Sequence, residues 1–156
     1  MEIERKFLIK IIPENLNQYQ CIKIEQAYLC TDPVVRIRQQ DEEYFLTYKS
    51  KGLMVREEVN LPLTSESYLH LKQKVDGKVI SKRRYLIPLE TGETAELDLF
   101  DAPFEPLQMA EVEFESEEAA YAFIKPAWFA REVTHDFHYH NSYLSKSQSP
   151  FNKRNN

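Results

Sequence analysis

The chain begins MEIERKFLI, which places Glu2, Glu4 and Lys6 at alternate positions. In a β-strand, residues two apart share a face, so two carboxylates and an ammonium would point one way. The spacing recurs at Arg36 and Arg38, Arg56 and Glu58, Lys82 and Arg84, Glu96 and Asp98, and Glu111 and Glu113, and Lys49 stands in the strand-like FLTYKS. Acids mostly fall beside acids and bases beside bases. Like charges side by side repel, so a sheet that repeats such pairs must gain something from them or face a ligand of opposite charge. Clustered carboxylates suit a hard divalent cation, and Arg forks and Lys ammoniums suit phosphate oxygens. Together they supply what phosphoryl transfer requires, because positioning and charge neutralisation do most of that catalysis. A lattice of structural salt bridges would give the same pattern, and the residue types alone leave both readings open.

These side chains need strands to hold them. Strand-like stretches cover 2–10, 22–29, 34–40, 43–50, 54–60, 79–88, 93–100 and 109–115, separated by turn signals such as TDP at 31–33 and ETGE at 90–93. Ile37, Leu97 and Val112 lie between members of the charged pairs and favour burial, so one face is charged and the other apolar. Arg5, Glu57 and Arg83 break this rule and must find water or partners on the outer face. Helices are expected over 64–75, capped by Thr64 or Ser65, and over 116–124, capped by Ser116, with a short third helix after Asn141. Many antiparallel strands with few helices predict a mainly β, closed or nearly closed sheet. Closure turns one face into an interior, and an ionic interior must be wet, paired and built for a charged ligand.

The 156 residues suit one domain, with 42% hydrophobic residues for a core. Only 3 Gly argue against glycine-rich phosphate loops, and a net charge of -5 argues against a general nucleic-acid binder. Cys21 and Cys30 lack zinc spacing and read as reduced thiols. No apolar run approaches the roughly 20 residues of a membrane span. The expectation is a soluble, cytoplasmic protein, with a homodimer left open.

The opening ExExK resembles the signature of the CYTH domain, or triphosphate tunnel metalloenzymes, a family of inorganic triphosphatases, thiamine triphosphatases and class IV adenylate cyclases. The likeness continues through IEQAYL at 24–29, RIR at 36–38, TYKS at 47–50, REEVNLPL at 56–63, SKRRY at 81–85, AELDLF at 95–100, AEVEF at 110–114 and REVTHDFHYHNSYL at 131–144. It implies a closed eight-stranded antiparallel barrel over 1–144, flanked by a few helices and followed by a polar tail at 145–156. It implies Mg²⁺ or Mn²⁺ held by Glu2, Glu4, Glu111 and Glu113, with Glu58 a further candidate. Lys6, Arg36, Arg38, Lys49, Lys82 and Arg84 become phosphate ligands, Arg56 a less regular one, and Glu96 and Asp98 acids that orient the bases or meet a second metal. Glu2, Glu4, Lys6, Arg38, Glu111 and Glu113 form the catalytic set. The form EIERKF is closer to the compact bacterial triphosphatases than to the cyclases. The resemblance therefore implies hydrolysis of inorganic triphosphate, with nucleoside or thiamine triphosphate hydrolysis, cyclisation, or polyphosphate binding without turnover as alternatives. His135 interrupts THD where relatives carry glycine.

Tyr28, near the proposed tunnel, is expected to pack or gate. His135, His138 and His140 lack the spacing of a helical zinc pair. Trp128, Phe129 and Phe137 are expected to pack the C-terminal segment on the barrel.

Overall fold

The computed structural model describes residues 1–146, so most of the expected tail at 145–156 lies outside the described residues. The strands are β1 (Glu2–Ile9), β2 (Gln20–Thr31), β3 (Val34–Gln40), β4 (Glu43–Lys49), β5 (Val55–Arg56), β6 (Glu58–Leu63), β7 (Asp76–Pro88), β8 (Thr94–Phe100), β9 (Gln108–Glu113) and β10 (Phe129–Glu132). They form one antiparallel sheet in the order β10-β1-β9-β8-β7-β2-β3-β4-β6, and β5 returns to pair with β1. That pairing, Glu2 with Arg56 and Ile3 with Val55, brings the ends of the path together into a nearly closed barrel.

The expected single strand over 54–60 is two. At Glu57 the N–H donates to Ser50 Oγ (2.9 Å) and the carbonyl accepts from Ser50 N–H (3.0 Å), so this residue leaves the ladder. The chain hinges there: β5 serves β1 and β6 serves β4. With β5 and β6 counted as one hinged wall, the ring has the expected eight walls; β10 is an additional strand on the remaining edge of β1.

The helices are α1 (Ser65–Lys72), α2 (Glu117–Ala122) and α3 (Asn141–Leu144). Thr64 Oγ1 accepts from Ser67 N–H at 3.1 Å and Ser67 Oγ accepts from Thr64 N–H at 3.0 Å, a reciprocal cap for α1. Ser116 caps α2 by accepting from Ala119 N–H at 3.1 Å.

The apolar core lies outside the ring. Leu97 and Val112 are fully buried with Phe7 and Phe114 under α2 and the segment leading to Phe129. Ile37 and Ala27 are buried with Tyr68 of α1. Full burial of one such side chain contributes about 1.5–3 kcal/mol, whereas an ion pair buried on the inner wall must first offset the desolvation of both charges. The outer layer therefore holds the barrel shut, and the charged inner face is free to serve a ligand. Arg5 finds its partner outside, with Nε and Nη2 donating to Glu132 at 2.8 and 2.7 Å; Glu57 and Arg83 are exposed.

A third cluster closes one end of the barrel. The inward positions Ile80, Phe100 and Met109 pack with Val133, Tyr139 and Leu144 of the C-terminal segment. Ser145, fully buried, accepts from Lys78 N–H at 2.6 Å through its carbonyl. Gly77 (φ +72°) allows this approach, since a Cβ there would collide with that oxygen. Trp128 meets Phe129 edge-on at 4.6 Å, as expected of a packing aromatic. Phe137 is exposed and stacks on His138 at 4.1 Å within its own segment. Among the described residues no helix is long and apolar enough to cross a membrane.

Candidate active site

The strand register carries the period-two pattern around the inner wall. Glu4 lies opposite Glu113 and Lys6 opposite Glu111 on β1 and β9. Glu111 lies opposite Glu96 on β8, and Arg84 of β7 opposite Asp98. Lys49 of β4 lies opposite Glu58 of β6, and Glu2 opposite Arg56 at the seam. These elements enclose a cavity of about 260 Å³. Acids and bases line it in equal number: Glu2, Glu4, Glu58, Glu96, Glu111 and Glu113 against Lys6, Arg36, Arg38, Lys49, Arg56 and Arg84. Tyr28 lines it too, while also belonging to the apolar cluster at the closed end.

Lys82 and Asp98 are the expected site residues that do not line the cavity. Both are fully buried. Lys82 Nζ lies 2.6 Å from Asp98 Oδ2 and 5.2 Å from the Phe100 ring centre. The next inward residues, Ile80 and Phe100, already belong to the apolar plug, and Lys82 is paired with Asp98 below the cavity. Asp98 also accepts from Arg84 Nε and Nη2 at 2.8 and 2.9 Å.

On the acidic side, Glu2 receives Lys49 Nζ at 3.0 and 3.1 Å and lies 3.5 Å from Arg56 Nε. Lys6 Nζ sits between Glu111 Oε1 (3.0 Å) and Glu4 Oε1 (3.2 Å). The Glu4 contact is close in distance but not in angle, and Glu4 Oε1 is buried without a hydrogen bond. Burial, then the neighbouring Glu4, push Glu2 up to about 7 against the pull of Lys49. Burial, Glu58 and Glu4 also raise Glu113, which has no ion pair among the described residues. Burial would raise Glu111 as well, but Lys6 and Arg84 outweigh it and hold its carboxyl well below the usual range.

The basic side is less compensated. Arg36 and Arg38, both buried, make no ion pair with a carboxylate among the described residues. Arg36 Nε has no hydrogen-bond partner. Arg38 donates only to neutral amides, Gln26 Oε1 at 2.8 Å and Gln40 Oε1 at 3.3 Å. Burial, Arg36 and Arg84 pull Arg38 down to about 9, which still leaves it charged near neutrality. Burial and Arg36 likewise lower Lys49. Such a surface favours an anion.

The acid set has the chemistry of a hard-cation site: oxygen donors only, raised carboxyls at Glu2 and Glu113, and an unbonded buried oxygen on Glu4. Among the described residues, however, no three His, Cys, Asp or Glu side chains stand close enough together to hold an ion as they lie. Lys49 on Glu2 and Lys6 between Glu4 and Glu111 explain this, since the ammoniums occupy the space between the carboxylates. The histidines do not converge: His138 Nδ1 pairs with Asp136 Oδ1 at 2.8 Å, His140 Nε2 with the Thr134 carbonyl at 2.9 Å, and His135 is exposed.

The family model of the CYTH domain matches residues 1–147. The chain belongs to the CYTH domain family. It is 41% identical over 149 residues to an inorganic triphosphatase of Nitrosomonas europaea, spanning 94% of this chain and 97% of that protein. It is 34% identical over 150 residues to an inorganic triphosphatase of Acetivibrio thermocellus, spanning 94% of each. A crystal structure of an inorganic triphosphatase superposes with a TM-score of 0.72 at 39% identity, over 96% of this chain and 97% of that one.

The CYTH barrel also presents side chains that the charge pattern passed over. Gln40, Phe45, Thr47 and Asn60 line the cavity, and Thr47 Oγ1 donates to Asn60 Oδ1 at 2.6 Å. Each lies two residues from an expected site position or from another of this group, so extending the same period beyond the charges would have found them. His140, Asn141 and Ser142 line it from the plug; no periodicity marks them.

Proposed function

We propose that this cavity binds inorganic triphosphate and hydrolyses its terminal phosphoanhydride with the help of a divalent cation, Mg²⁺ or Mn²⁺. The observation that carries this reading is the pair Arg36 and Arg38: buried neighbours on one strand, unpaired with any carboxylate among the described residues, in a cavity that also holds crowded acids. Two uncompensated guanidiniums call for an anion of several charges, and the acids opposite would repel it unless a cation intervened. The high identity to inorganic triphosphatases over nearly the whole chain supports the same reading.

Glu2, Glu4 and Glu113, with Glu58 and Glu111 beside them, would hold the cation, which when bound supplies positive charge to the phosphate oxygens and acidifies water. Arg36, Arg38 and Lys49 grip the phosphate chain, and Arg84 and Lys6 offer positive charge nearer the acids. Water attacks the terminal phosphorus, the bond to the bridging oxygen breaks, and orthophosphate and pyrophosphate leave. The bases neutralise charge as it builds on the phosphoryl oxygens. The net charge of -5 and the inward placement of these bases suit a small substrate, not a nucleic acid.

The test incubates the pure protein with tripolyphosphate, ATP or thiamine triphosphate, each with Mg²⁺ or Mn²⁺, and assays phosphate, pyrophosphate and cyclic AMP. Tripolyphosphate should be cleaved fastest. Cyclic AMP as the main product from ATP would instead mark a cyclase, and tight tripolyphosphate binding without turnover would mark a binding module.

A further inference from the structure

Arg38 and Arg84 are both buried arginines of the inner wall, yet they are held in opposite ways. Arg84 is clasped on two nitrogens by the carboxylate opposite it, Asp98. Arg38 faces Gln26 at the equivalent cross-strand position. Gln26 is fully buried at the centre of β2. Its Oε1 accepts from Arg38 Nε at 2.8 Å, and its Nε2 is buried with no partner. A second neutral acceptor, Gln40 Oε1, takes Nη1 at 3.3 Å.

We infer that Gln26 is a positioning residue that fixes the Arg38 guanidinium against the cavity while leaving its charge uncompensated for the substrate. The choice of amide over acid is the informative feature. An acid at this place would form a charge-assisted bond to Nε, and would break no hydrogen bond on its other arm, because the Gln26 amide nitrogen has no partner there. For a wall that only had to be stable, a carboxylate would serve better, as Asp98 does for Arg84. An amide fixes the side chain's direction equally well and withholds the negative charge that would compete with phosphate. A multiply charged anion then finds one guanidinium already ordered, so less side-chain freedom is lost on binding.

This inference rests on the triphosphate reading, and the measurements separate the two. The substitution Gln26→Glu is compared with wild type by thermal melting, by tripolyphosphate titration in metal-free buffer, by steady-state kinetics with Mg²⁺, and by the ¹⁵N resonance of Arg38 Nε–H. The expected result is a melting temperature equal to or above wild type, a shifted Nε–H resonance, and tripolyphosphate affinity and kcat/KM each lower by about tenfold or more. The loss should appear in KM as well as kcat. Gln26→Met, which keeps length but cannot accept, should melt lower and lose activity, so that stability and activity fall together there and diverge in Gln26→Glu. Failure of Gln26→Glu to fold, an unchanged Nε–H resonance, or wild-type affinity and kcat/KM in that variant would each overturn the inference. If wild type itself neither binds nor cleaves tripolyphosphate, the activity reading fails on its own, while melting and the Nε–H resonance still decide whether Gln26 holds Arg38.

Discussion

Asp98 accepts from Arg84 through both carboxylate oxygens, at 2.8 and 2.9 Å, and does so with no exposed surface. Lys82 Nζ shares one of those oxygens at 2.6 Å. Burial opposes the charge on Asp98, but Arg84 and Lys82 outweigh it and lower its pKa. One carboxylate thus anchors two buried cations from below the cavity floor. Removing its charge would leave Lys82 without a counter-ion and Arg84 with only the longer contacts to Glu96 and Glu111, at 3.3 and 3.6 Å; breaking a buried pair in this way costs about 3–5 kcal/mol. Asp98→Asn should therefore lower the melting temperature by about 10 °C or more. A melt within two or three degrees of wild type would show that Lys82 and Arg84 find other partners.

Arg38 is the opposite case, a cation held without a counter-ion. Arg38→Ala removes charge from the cavity and breaks no ion pair among the described residues. Stability should fall modestly, because buried Gln26 Oε1 loses its donor and packing is lost, while relief of the mutual repulsion with Arg36 offsets part of that cost. Tripolyphosphate turnover should fall by roughly 10²-fold, the scale of a lost transition-state charge contact. Wild-type kcat/KM in this variant would remove Arg38 from the site.

These contrasting roles explain how far the sequence could be read. Period two is a local property, so the shared inward face of Glu2, Glu4 and Lys6, of Arg36 and Arg38, and of Glu111 and Glu113 was legible from spacing. Depth along the barrel axis is not local. Lys82 and Arg84 have the same phase and type, and only the packing of Tyr139 and Leu144 against Ile80 and Phe100 decides that one is in the floor and the other in the cavity. The break at Glu57 was hidden for a related reason: its N–H and carbonyl answer to Ser50, across a loop, and not to a strand neighbour. Gln26 escaped because a neutral residue gives no charge signal, though its phase with Tyr28 was in view.

Glu4 tests the acidic wall. Its carboxylate sits among Glu2 and Glu113 and raises both. Glu4→Gln keeps the shape and removes one repelling charge, while Lys6 retains Glu111 at 3.0 Å. The metal-free protein should melt at or slightly above the wild-type temperature. Divalent cation binding, followed by calorimetry, should weaken by about tenfold or more, and turnover should nearly vanish. Equal cation affinity and equal turnover in the two proteins would reduce MEIERKF to a charged strand.

His140 links the plug to pH. It is buried beside the cavity, and its Nε2 lies 2.9 Å from the Thr134 carbonyl, which can only accept, so Nε2 carries the proton of the neutral ring. Burial, then the cations Lys6 and Arg56, push its pKa down to about 4, against the opposing pull of the Thr134 carbonyl and Glu111. The unfolded chain has an ordinary histidine near 6.5. Between those values the unfolded state binds a proton that the folded state does not, so stability rises with pH. The contribution is complete above about pH 6.5 and is lost as pH falls toward 4, by at most ~1.4 kcal/mol per unit. His140→Gln retains a donor for Thr134 and cannot titrate. Urea unfolding at pH 7, 6 and 5 should therefore show a steeper loss of stability in wild type than in the variant, the difference approaching one proton. Parallel slopes would mean that His140 is already charged in the fold, and that the plug tolerates a cation beside Lys6 and Arg56.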